Sequence, residues 1–286
     1  GTADTMECLA RVELSEAEIK QVVKKTGACI VHGGSINLAP ADDKIIEVEH
    51  PLSVDAEGQM LASVMAKKYS VSASHVLIDI PMGKTSKAKN PKEARHLKTM
   101  FEMVGRRLGM NVKVVVTDGS APIGRGVGPL LEAQDVMAVL ANAPNAPQDL
   151  KAKAISMAGI LLELTGKYKH GEKVAREILE SGRALVKMNE IIAAQGKQPR
   201  LVPGKHIFDV TTHKAGKIRA VDNEVIAKIA HTAGAPDNKG AGLYLHKNKG
   251  ENVTIGECLY RIHAESPAKL SLAKRIALSS NGYEIR

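Results

Sequence analysis

The stretch from residue 75 to residue 117, HVLIDIPMGKTSKAKNPKEARHLKTMFEMVGRRLGMNVKVVVT, decides the fold class. Residues 75–80 form a short apolar run, the pattern of a buried strand. Residues 91–108 then place Ala94, Leu97, Phe101, Val104 and Leu108 at helical spacing, so they read as one long amphipathic helix. Residues 111–117, NVKVVVT, form a second strand. A strand, a long crossover helix and another strand make a βαβ unit, which pairs its strands in parallel.

Working outward, the same alternation continues. Upstream, residues 16–25 read as a helix capped by Ser15, with Glu18 completing a capping box and Gly27 ending it. Residues 28–31 read as a short buried strand, and residues 55–68 as a helix burying Met60, Leu61, Val64 and Met65. Downstream come a Gly/Pro-rich loop at 118–128, a helix at 129–140, and two or three helices within 147–196. The polar stretch 195–205 contains Gly196, Pro199, Pro203 and Gly204 and is the best linker. Beyond it the elements shorten: strands at 206–212, 216–221, 240–246, 252–255 and 258–263, with helices at 223–232 and 266–279. The expected fold is therefore α/β, with a mostly parallel or mixed central sheet flanked by helices in residues 1–201. A smaller α+β domain is expected in residues 202–286.

Composition narrows the function classes. The 286 residues suffice for two domains without disulfide or metal staples. With no Trp, two Phe and five Tyr, the core must be aliphatic, and base-stacking platforms are disfavoured. The formal net charge of +9 is spread along the chain without a basic arm or tail. That points to small anionic substrates before nucleic acid. Cys8, Cys29 and Cys258 have no paired spacing and read as buried thiols of a cytoplasmic protein. The ten histidines show no HxH or HExxH spacing, so no metal site is expected. No apolar run approaches the length of a membrane span, and no signal peptide is recognisable. The opening Gly1-Thr2-Ala3-Asp4, without Met, reads as a fragment or a processed product.

Four groups of residues could carry chemistry, and each has a plainer reading. Gly83-Lys84-Thr85 resembles the end of a P-loop, but position 78 is Ile where the first glycine is required. GRGVGP at 124–129 has the wrong spacing for a dinucleotide fingerprint. It is either a flexible loop or a place of close backbone approach to a ligand beyond the strand at 111–117. Lys84, Lys87, Lys89 and Lys92 form either a solvated loop or a cationic loop that closes over an anionic substrate. Asp55, Ser63 and Lys67 share one helix face. They are either a cap, a surface hydroxyl and an end charge, or a polar strip that hydrogen-bonds a heterocyclic base.

Specific segments then add a family resemblance. GTADTME at 1–7, LAPAD at 38–42 and LASVMAKK at 61–68 resemble, in order, segments of the thymidine/AMP phosphorylase family. Residues 77–84 and 117–132 look closer to its AMP phosphorylase branch. The resemblance implies a pentosyltransferase: orthophosphate attacks C1′ of a nucleoside or nucleoside 5′-monophosphate and the base departs. It implies Asp55 as proton donor to that base, Thr2 as a contact to the phosphate or nucleotide, and Ser63 and Lys87 as nucleotide-binding residues. Lys67 is a secondary candidate, as part of the Ser and Lys pair that holds the pyrimidine in the thymidine branch. That branch also uses an Arg shortly before the Asp55 helix. VEHP at 48–51 offers none, which favours the nucleotide-type branch. The family's N-terminal helical region and first phosphate loop are expected to precede Gly1, leaving this chain incomplete for catalysis. A homodimer or larger assembly is implied, with no organic cofactor and no metal. The rival readings are a pyrimidine (thymidine) nucleoside phosphorylase, a phosphoribosyltransferase holding Mg²⁺ on Asp42 and Asp43, and a basic nucleic-acid-binding protein.

Overall fold

The computed structural model describes residues 1–36 and 57–286. Its decisive unit is the expected one. Strand β1 (His75–Met82) pairs in parallel with β2 (Asn111–Asp118), in a register that sets His75 against Asn111 and Met82 against Asp118. The Pro91–Arg107 helix crosses between them, with Asn90 capping its first turn and Pro91 in that turn. Side chains alternate across a strand, so Val76, Ile78 and Ile80 turn one way. They pack with Leu61 and Met65 of the Glu57–Ser70 helix and with Ala94, Leu97 and Phe101. Asp79 turns the other way, toward the Gln148–Leu164 helix. Gly105 lets the crossover helix sit directly on β2: a Cβ there would come within 2.2 Å of Val112 Cγ2.

The helices at 129–195 form a second body. Pro129–Leu140, Gln148–Leu164, Gly171–Glu180 and Arg183–Gln195 bury Val139, Ile155, Ala175 and Leu179 among themselves. Gly159 and Gly171 face each other at the crossing of two of these helices, where a Cβ on Gly171 would meet the Gly159 oxygen at 2.0 Å.

The C-terminal part carries two antiparallel sheets. One has the order β3-β6-β8-β4, from Gly126–Val127, Gly242–Leu245, Cys258–Ala264 and His206–Thr211. The other has the order β7-β5-β9, from Asn252–Val253, Gly216–Val221 and Tyr283–Ile285. The Asn223–Ala233 and Pro267–Ser279 helices cover a core that includes Ile218, Ile229, Leu243, Leu259, Tyr260 and Ile262, each at most 1% exposed. The α/β reading with a C-terminal α+β part therefore holds. Strand β3 adds a feature the sequence did not signal: residues ahead of the polar stretch 195–205 supply an edge strand to the C-terminal sheet.

One expected strand does not form. Residues 28–31 carry no ladder. Thr26 Oγ1 bonds the Ala28 backbone instead, and one buried side chain at the end of the Arg183–Gln195 helix bonds the Ile30 backbone. Gln195 Oε1 accepts from the Ile30 N–H at 2.8 Å, and its Nε2 donates to the oxygens of Arg11 at 2.7 Å and Ile30 at 2.9 Å. The amide thus bonds both backbone groups of Ile30, which needs no neighbouring strand. The capping box over the Glu16–Thr26 helix is present, and Gly27 ends it in the left-handed region at φ 79°. The Thr2–Glu7 helix and β9 were not foreseen.

Candidate functional site

Because β1 and β2 run in parallel, both of their carboxyl ends open on the same side of the sheet, the usual place for a ligand in an α/β unit. The two loops that leave there cross in close contact. A Cβ on Gly83 would lie 2.5 Å from the Gly119 oxygen, and one on Gly119 would lie 2.6 Å from Ser86 Oγ. The crossing is tied by Gly119 N–H to the Met82 oxygen at 2.9 Å and by Gly83 N–H to the Ala88 oxygen at 3.0 Å. Ala88 is fully buried. The lysine-bearing turn 83–88 is thus fastened at both ends of its neck, with Lys84 and Lys87 exposed at its tip.

Beside this turn lies a cavity of about 530 Å³. Its walls are the Met60–Val64–Lys68 row of the Glu57–Ser70 helix, the flank of β1, and Thr85, Ser86 and Lys87. Leu97 and Phe101 close its apolar end. Asp79 also reaches the wall, but its charge is engaged. Lys153 Nζ pairs with it at 2.5 Å, and Thr117 Oγ1 donates to it at 2.7 Å.

The sequence-derived candidates distribute as follows. Lys87 lies on the cavity wall. Ser63 and Lys67 stand one turn apart on the helix row next to Met60–Val64–Lys68, both half-buried. Thr2 opens the Thr2–Glu7 helix, is exposed, and is not among the residues lining that cavity. Asp55 lies outside the described residues, as do Asp42 and Asp43. Lys68, adjacent to the predicted Lys67, was missed. Its only sequence signal is its place four residues after Val64 and eight after Met60, on one helical row.

The Thr2–Glu7 helix carries a second polar cluster, built from Asp4, Thr5 and Glu7. Lys239 Nζ, on the loop before β6, reaches Asp4 at 3.0 Å and Glu7 at 2.7 Å. Thr5 Oγ1 donates to Glu132 at 2.9 Å, whose other oxygen accepts from the Gly128 N–H at 3.0 Å. In a chain that starts at Gly1, hydrogen bonds from its ammonium and from Lys239 lower the Asp4 carboxyl to about 2. A depressed folded pKa means that this carboxylate stabilises the chain above its unfolded pKa, near 3.8, and that this contribution is lost as pH falls toward 2. Urea midpoints between pH 5 and pH 2 should therefore fall less steeply for Asp4→Asn than for the parent chain. Equal slopes would show that the pairing contributes nothing in solution.

The glycine cluster at 124–128 is not a ligand cradle. Its amides are already occupied by the protein's own carboxylates. Asp135 Oδ2 accepts from the N–H groups of Arg125 at 2.6 Å and Gly126 at 2.7 Å, and Asp149 accepts from Gly124 at 3.1 Å. Burial raises the Asp135 pKa against these bonds. The glycines serve packing: a Cβ on Gly126 would meet the Leu131 backbone at 2.3 Å, and one on Gly128, at φ 120°, would lie 2.5 Å from the Ala241 oxygen.

Among the described residues no group of three or more His, Cys, Asp or Glu could hold a metal ion, and no helix is long and apolar enough to cross a membrane. Comparison with known proteins places this geometry in context. Residues 217–284 match the pyrimidine nucleoside phosphorylase C-terminal domain. The whole chain is similar to a Methylococcus capsulatus protein named "Putative thymidine phosphorylase", 46% identical over 288 residues that cover 100% of this chain and 56% of that protein. A Rhodopseudomonas palustris protein of the same name is 48% identical over 288 residues, with the same two coverages. One from Legionella pneumophila is 46% identical over 275 residues, covering 96% of this chain and 53% of that protein. The chain thus spans about half the length of these relatives.

Proposed function

Because the chain belongs to the thymidine phosphorylase family, we propose that the complete protein is a pentosyltransferase that cleaves a nucleoside or nucleoside 5′-monophosphate with orthophosphate. The observation that carries this reading is the similarity along the whole chain. The cavity at the strand ends is consistent with it. In the proposed reaction a phosphate oxygen forms a bond to C1′ as the glycosidic C–N bond breaks. The electron pair leaves with the base, which takes a proton, and the product is a pentose 1-phosphate or 1,5-bisphosphate.

In this scheme Asp55 delivers the proton, Ser63 and Lys87 hold the nucleotide with Lys67 beside them, and Thr2 meets the phosphate. The finer preference is for nucleoside 5′-monophosphates such as AMP. The absence of Arg from residues 48–51 and the cationic turn 84–92 support it. The second reading is a thymidine-type pyrimidine nucleoside phosphorylase, favoured by the names of the relatives and by the domain matched at 217–284. We further propose that the residues before and after about 201 act as two domains and that the working unit is a homodimer or larger. A cytoplasmic setting is consistent with three free cysteines.

The test is a turnover screen on the complete gene product, with AMP, CMP, UMP, thymidine and uridine, each with and without orthophosphate. Phosphate-dependent release of base from the monophosphates ahead of the nucleosides is expected. Preferential cleavage of thymidine and uridine would select the second reading, and release that ignores phosphate would end both.

A further inference from the structure

The cavity beside the 83–88 turn sets Lys68 on a wall with the apolar side chains of Met60 and Val64. Its described lining includes two cations, Lys68 and Lys87, and one carboxylate, Asp79. Asp79 is already paired with Lys153 and hydrogen-bonded by Thr117, and it forms no ion pair with Lys68. Lys68 is half-buried, and its ammonium has neither a carboxylate nor a hydrogen-bond acceptor among the described residues. Burial, with the adjacent Lys67 charge as a smaller cause, pushes its pKa down. A position in the last turn of a helix favours a cation, through the carbonyls that end it. It does not account for a cation that points into a pocket walled by Met60 and Val64, where water is partly excluded. Such a group lowers the stability of the empty protein and gains most from a ligand that brings the missing negative charge.

We propose that Lys68 is a ligand-binding residue and that, opposite Lys87, Ser86 and Thr85, it makes this cavity take a phosphate-bearing ligand. The apolar far wall, with Leu97 and Phe101, suits the uncharged remainder of such a molecule. The proposal rests on the phosphorylase reading for the nature of the ligand. It adds a residue that this reading did not include.

The experiment is calorimetric titration of the 286-residue chain and its Lys68→Met and Lys68→Arg variants with AMP, ribose 5-phosphate, orthophosphate and adenosine. In Lys68→Met, affinity for a phosphate-bearing ligand should fall at least about tenfold while adenosine binding stays the same; Lys68→Arg should keep most of the affinity. A loss seen with AMP and ribose 5-phosphate identifies a phosphate ester as the ligand. A loss confined to orthophosphate identifies the inorganic ion. Lys68→Met should also melt no lower than the parent when empty, because it removes a half-buried charge that has no partner among the described residues, and Lys68→Gln provides the same reading if Met proves insoluble. Unchanged anion affinity in Lys68→Met, or no anion binding by the parent chain, would overturn the proposal. Binding needs no turnover, so Lys68-dependent affinity in a protein without phosphorolysis would leave this inference standing and remove the functional reading.

Discussion

In the complete protein, Asp55→Asn is expected to lower kcat by about 10²–10⁴-fold with little change in KM, the range that general acid catalysis contributes. The carboxyl and the carboxamide are nearly the same shape, so substrate contacts survive while the transferable proton is lost. A free Asp has a pKa near 3.9 and is ionised at neutral pH. The role therefore requires a surrounding that raises this value, by burial or by a neighbouring anion such as the phosphate itself. The leaving group gives the sharper measurement. A base that departs readily as an anion needs no proton, so the variant should lose far less on such a substrate than on a natural one. An equal loss on both would assign Asp55 to binding rather than to proton transfer. Full activity on both would remove it from the mechanism.

The largest expected stability effect lies away from the cavity. Gln195→Ala should destabilise the chain by about 3–5 kcal/mol, measured as a shift in the urea midpoint at constant slope. The side chain is 1% exposed and makes three hydrogen bonds to the backbone of Arg11 and Ile30. Truncation leaves a void and strips one N–H and two carbonyls of their partners at a part-buried site. Each such orphaned group costs about 1–3 kcal/mol. Gln195→Glu separates the two contributions. It fills the space and still accepts from Ile30, but it cannot donate to the two oxygens. A loss under about 1 kcal/mol in Gln195→Ala would mean that residues 28–31 satisfy their own backbone in solution.

How much of this was legible in the sequence depended on distance along the chain. The βαβ unit was readable because its signals are local: an apolar run, a helical period from Ala94 to Leu108, and a second apolar run. The Ser15 to Glu18 capping box was readable for the same reason, since both partners sit within one turn. The expected strand at 28–31 failed because its true partner, Gln195, is 165 residues from Ile30. The glycine cluster at 124–128 was ambiguous because glycine reports only that something comes close. That the close neighbours are Leu131, Ala241 and the carboxylate of Asp135 is a tertiary fact. The candidate site was half legible. A lysine in the cavity could be named at position 87 from its loop, but Lys67 and Lys68 look alike in a string of letters. Which of them turns toward the cavity is set by the rotation of the helix on Leu61 and Met65.

Strand β3 has a practical corollary for anyone dividing this protein. A piece cut to the recognised domain at 217–284 omits both β3 and β4, the two outer members of the four-stranded sheet. Its β6 and β8 would then each present a bare row of amides and carbonyls to solvent, and Leu243 and Ile262, now fully covered, would lie beside those open rims. Open rims of that kind recruit one another, so such an excised piece should clump or swap strands between copies, and a soluble version must carry the Gly126–Val127 segment with it.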